Sequence, residues 1–165
     1  MAKSYKYATE ICIALTVLAL IGIVIGIAKA SPLVAIIFLL PTVIYEVYRT
    51  EGKSTKWASI VLLVVFIAEF ILIVADVRFD LAGFLGTTEK YVAGYAVPLG
   101  DIKIVGPGLM AVLALILLIR TRGRYTKWLA IIIIITSLAI AYILDPAIFT
   151  KFLRLGIQEG LEQIR

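Results

Sequence analysis

Long apolar runs separated by short basic segments dominate the chain. About 20 consecutive apolar residues cross the ~30 Å hydrocarbon layer as a helix. Five runs come close to that length, over about residues 8–28, 32–48, 57–75, 104–119 and 128–144, the fourth being short. Each is expected to be helical, because lipid offers no partner for a bare backbone amide. The pattern predicts an all-α fold, a polytopic transmembrane helical bundle of about five spans forming a single membrane domain over 1–165.

The connections carry their own signals. Lys29, Ala30, Ser31 and Pro32 read as a tight turn with Pro32 in the first turn of the next helix. Pro107, between Gly106 and Gly108, reads the same way at the entry to span four. Pro41, inside span two, removes one helical hydrogen bond and predicts a kink. In the outer loop, 76–103, Tyr95 to Val97 and Ile102 to Ile104 predict a small hairpin turning at Pro98 to Asp101. Asp80 to Leu85 reads as a short interfacial helix. Over 146–165, Phe149, Phe152, Leu153, Ile157, Leu161 and Ile164 recur at helical spacing, with charged and amide residues opposite. That pattern predicts an amphipathic C-terminal helix, lying on the membrane surface or docked on a partner subunit.

Two of the connections resemble each other. Arg49-Thr50-Glu51-Gly52-Lys53-Ser54-Thr55-Lys56-Trp57 matches Arg120-Thr121-Arg122-Gly123-Arg124-Tyr125-Thr126-Lys127-Trp128 at six of nine positions. Each joins a descending run to an ascending one, which predicts two parallel helical-hairpin repeats, spans two–three and four–five. The glycines are expected to end helices in a left-handed conformation and the threonines to cap the next helix. Arg49, Lys56, Trp57, Arg120, Lys127 and Trp128 are read as anchors at the inner membrane interface.

Composition sharpens this picture. The chain is 62% hydrophobic, beyond the ~45–50% of soluble domains. Its net charge of +5 sits beside the apolar runs, so anionic lipid headgroups rather than nucleic acid are the expected counter-charge. There is no histidine and a single cysteine, Cys12. That excludes an intrachain disulfide, a thiol–metal cluster and any Ser–His or Cys–His nucleophile pair. No cofactor or metal is expected, and the chain reads as a non-enzyme. The run from Ile11 to Ala28 is too long for a typical signal-peptide core and is read as part of a retained first span. Basic residues in the short loops place the N-terminus inside and the C-terminus outside a cell membrane.

Few residues carry candidate chemistry. Glu69 follows Trp57 by twelve positions, roughly 18 Å along a helix, which puts it inside the apolar layer. An ionised carboxylate there costs ~2.5–3.5 kcal/mol, so it must be neutral, paired, or turned to protein or water. With Asp76 two turns on, it forms a candidate proton or cation site. The plainer reading, a neutral Glu69 bonded across a helix interface, is preferred. Glu46 is explained by a local pair with Arg49. Gly22, Gly26 and Ala30 form a small-residue face on span one, a candidate helix interface. The expected function is a structural or accessory subunit of a larger membrane assembly, associating with other subunits or with itself. The alternative is a small oligomeric ion channel or ion-coupled transporter using an intramembrane carboxylate.

Overall fold

Five α-helices form the body of the computed structural model, which describes residues 7–76, 89–92, 95–98, 102–147 and 150. They are α1 (Ala8–Ala28), α2 (Pro32–Arg49), α3 (Lys53–Val74), α4 (Ile102–Arg120) and α5 (Arg124–Leu144). All five are long and apolar enough to cross a membrane. Helices and predicted spans agree in place but not in length, since α3 and α5 each begin one turn before their tryptophan. An apolar run marks only hydrocarbon depth. The backbone stays helical for a further turn, where Lys and Arg stems can snorkel to water.

The helices close into a ring. α2 packs on α3, α3 on α4, α4 on α5, and α5 back on α2. Chain direction alternates around the ring, so every neighbour is antiparallel. α1 lies outside it, against α2 and α5. The ring interior holds Leu39, Leu62, Phe66, Met110 and Ile133, each at most 1% exposed. Outward-facing Val24, Ile44, Val64, Val112 and Ile135 are exposed. An apolar surface of this extent requires lipid or a partner. With lipid outside, close packing rather than water exclusion holds the helices together.

Both Arg-Thr-x-Gly loops lie at one end of the ring, here called the basic end. The glycines there act differently from expectation. α2 stops at Arg49, and Gly52, at φ 104°, is the residue that starts α3. Gly123 starts α5 at φ −73° and is not left-handed. Thr55 and Thr126 do not cap amides either. Their hydroxyls donate back to the carbonyls of Gly52 (3.1 Å) and Gly123 (2.8 Å). A Cβ on either glycine would crowd the threonine hydroxyl three residues on, which explains the shared Gly-x-x-Thr spacing.

At the other end, α1 terminates in a Schellman turn. Ser31 N–H bonds to the Gly26 carbonyl (2.9 Å) and Ala30 N–H to that of Ile27 (3.1 Å). Ala30 occupies the left-handed position of that turn at φ 48° and is exposed. It therefore lies outside the helix interface predicted for it. α4 begins at Ile102, so Pro107 lies inside the helix rather than at its entry. The predicted hairpin is shifted. Tyr95 to Val97 is a strand, but β2 (Tyr95–Pro98) pairs antiparallel with the preceding β1 (Glu89–Val92), because Ile102 to Ile104 is already helix. The short interfacial helix predicted over 80–85 and most of the amphipathic helix predicted over 146–165 (148–149 and 151–165) lie outside the described residues.

Candidate functional site

Two glutamates are enclosed in the ring, one toward each end. Glu69 shares a face of α3 with Leu62 and Phe66 and is 1% exposed. It meets α4 at Gly106, where an added Cβ would overlap the Glu69 carboxylate. Glycine at 106 is what lets a carboxylate fit between two packed helices. Pro107 follows directly and removes the amide that would bond to the Lys103 carbonyl, so the helix turn beside Glu69 is also a loosened one.

Lys103 lies one turn before Gly106. Its ammonium donates to Asp76 Oδ1 at 2.6 Å, and its side chain is 10% exposed against 63% for Asp76. Asp76 lies just beyond α3, at φ 46°. Asp tolerates that left-handed conformation better than most residues. The structure thus gathers Glu69, Lys103 and Asp76 along the α3–α4 seam at the end away from the basic loops. Lys103 was not foreseen as a site residue. A lysine in the first turn of an apolar helix opposes the helix dipole, and that mismatch was the available signal for a dedicated acid partner.

Glu46 on α2 is fully buried. The predicted pair with Arg49 does not form. Instead Glu46 Oε1 accepts from Thr50 Oγ1 at 2.5 Å and from Ser59 Oγ of α3 at 2.9 Å. Its second oxygen, Oε2, is enclosed without a hydrogen-bond partner among the described residues, as is Thr42 Oγ1 one turn away on the same face. Arg49 points elsewhere. Its guanidinium stacks 4.8 Å from the Tyr125 ring centre and its Nη1 donates to Tyr45 OH at 3.3 Å.

The remaining predicted residues divide between surface and interior. Lys56, Trp57, Arg120 and Lys127 are exposed at the basic end. Arg49 is buried, and Trp128 is a half-buried strut whose Nε1 donates to Thr16 Oγ1 of α1 at 3.0 Å. Gly22 and Gly26 are also internal. A Cβ at Gly22 would overlap Phe38, and one at Gly26 would crowd Ala35 and Ile143 at 3.2 Å each. The small-residue face of α1 is therefore filled by the chain's own α2 and α5. Among the described residues no group of three His, Cys, Asp or Glu side chains is placed to hold a metal ion. No protein-family model, curated protein or solved structure matches the chain.

Proposed function

We propose that the chain is a small carrier of protons or monovalent cations, with one enclosed carboxylate toward each face of the membrane. The observation that carries this reading is Glu46: a buried carboxylate with two hydroxyl donors on one oxygen and none among the described residues on the other. A buried acceptor left unmet costs about 1–3 kcal/mol. A bound proton, cation or water at Glu46 Oε2 and Thr42 Oγ1 removes that cost. Glu69, seated on Gly106, is the second station. The apolar layer of Leu62 and Phe66 separates the two and acts as the barrier a carrier opens on one side at a time. The reading includes an N-terminus on the cytoplasmic side, two duplicated hairpins, α2–α3 and α4–α5, and a surface-lying helix over 146–165. Reconstitution into vesicles with an internal pH dye tests it. Ion-dependent flux is expected, with Glu46→Gln and Glu69→Gln each abolishing it while the protein stays folded. Flux unchanged in both variants refutes it.

A second reading, a non-catalytic accessory subunit of a larger assembly, is favoured by the solid apolar ring interior. It predicts other chains in fixed ratio when the intact particle is purified from native membranes in mild detergent and weighed. It also predicts that Glu69→Gln changes little.

A further inference from the structure

The basic end holds a pocket of about 510 Å³ between the two Arg-Thr-x-Gly loops, lined by Arg49, Glu51 and the segment from Thr121 to Thr126. Three arginines line it, Arg49 (its guanidinium engaged by Tyr125 and Tyr45), Arg122 and Arg124, against one exposed glutamate. Among the described residues, Arg122 and Arg124 have no ion pair or hydrogen bond. The pocket also takes in the start of α5, whose first-turn amides have no side-chain cap, because the N-cap residue is Gly123. Uncapped amides at a helix start attract anions.

The decisive group is Thr121. It is 7% exposed, and its Oγ1 is enclosed with no hydrogen-bond partner among the described residues. The aligned Thr50 shows what such a hydroxyl does when an acceptor is present: it donates to Glu46, one turn back. One turn back from Thr121 stands Leu117, whose side chain accepts nothing and whose carbonyl takes the Thr121 N–H at 2.9 Å. The hydroxyl therefore calls for an acceptor from outside the chain, in a pocket where arginines and helix amides both favour an anion.

We infer that this pocket binds one phosphate group, gripped by the Thr121 hydroxyl, the first-turn amides of α5 and the guanidinium groups of Arg122 and Arg124. The phosphate belongs either to an anionic phospholipid headgroup or to a free phosphate. Arginine pairs with phosphate through two parallel N–H donors, which suits the group in both cases.

The test uses the full chain, delipidated in a neutral detergent. One arm adds phosphatidic acid or phosphatidylglycerol and counts retained lipid by native mass spectrometry. The other titrates inorganic phosphate by calorimetry. Saturable binding of one anionic lipid per chain, without response to phosphate, identifies a headgroup. Saturation by phosphate identifies a soluble ligand. In either arm Thr121→Val is expected to weaken binding about tenfold, as the loss of one hydrogen bond to a charged group does. Arg122→Gln, a change at an exposed position that leaves folding alone, is expected to weaken it as well. Lys53→Ala, at the position aligned with Arg124 in the other loop, is expected to leave it unchanged. Wild-type protein that binds neither ligand overturns the inference. So does a Thr121→Val chain that binds like wild type, or a Lys53→Ala chain as weak as Arg122→Gln, since both mean diffuse charge rather than a pocket.

Discussion

The Arg49 guanidinium lies 4.8 Å from the centre of the Tyr125 ring, joining the end of α2 to the start of α5. Across the ring, Arg120 Nη1 donates to Ser54 Oγ at 3.2 Å, joining the end of α4 to the start of α3. In the aligned loops these are the same two positions, with the two partners exchanged. Each hairpin closes the ring by reaching into the loop of the other. The stacked pair is the more buried of the two. A double-mutant cycle on Arg49→Ala and Tyr125→Ala should return a coupling of about 1 kcal/mol in thermal or denaturant unfolding. The exposed Arg120–Ser54 pair should return much less.

Gly106→Ala should destabilise the protein by about 1–3 kcal/mol, the usual penalty for overpacking a filled interior. The cause is specific, because the new methyl group would overlap the Glu69 carboxylate. Glu69→Ala combined with Gly106→Ala should therefore recover most of the loss. Additive penalties in unfolding measurements would show that the methyl group strikes something else.

Ser59→Ala removes one of the two donors to Glu46 Oε1 and should cost about 1 kcal/mol. Glu46→Gln should cost more, since its amide nitrogen must then be satisfied in the same enclosed space. Unfolding midpoints for the two variants in one detergent provide the comparison.

Ala30→Gly should stabilise the chain by up to about 1 kcal/mol. Ala30 holds the left-handed position of the turn after α1, which costs a Cβ-bearing residue roughly 1–2 kcal/mol. Glycine relieves that cost and gives back part of it as unfolded-chain entropy. A rise in melting temperature checks it.

Gly22→Leu should dislodge α1 from α2, because even a methyl group at that position would overlap Phe38. The effect should appear in the isolated chain, as faster proteolysis or cross-linking loss between α1 and α2, before any partner is present. A variant that stays intact alone but fails to assemble would instead place the small-residue face at an outer interface.

The spans were readable because an 18–22-residue helix in lipid needs an uninterrupted apolar run, and each run has one. Glu69 was readable for the complementary reason, as a lone carboxylate inside such a run. Glu46 was not. Its true partner, Ser59, belongs to another helix, whereas Arg49 offered a plausible pair one turn away. Gly106 was hidden by its neighbour: a glycine next to a proline reads as punctuation at a helix entry, and only α4 extending back to Ile102 turns it into a packing position. Trp128 has the sequence of an interfacial anchor, as Trp57 does, yet one is 70% exposed and the other bonds to α1. Composition cannot separate them, because α1 packs on α5, which carries Trp128, whereas Trp57 on α3 faces outward.

α5 touches α1, α2 and α4, and it is the last helix of the five to be made. Until it arrives, the ring is open, the Tyr125 and Trp128 struts do not exist, and α1 has only α2 to lean on. A chain cut short before Arg124 would therefore leave the seams of α1, α2 and α4 that face α5 bare. Closure of the ring waits on α5, and a truncation before it should look to membrane quality control like a failure of the whole.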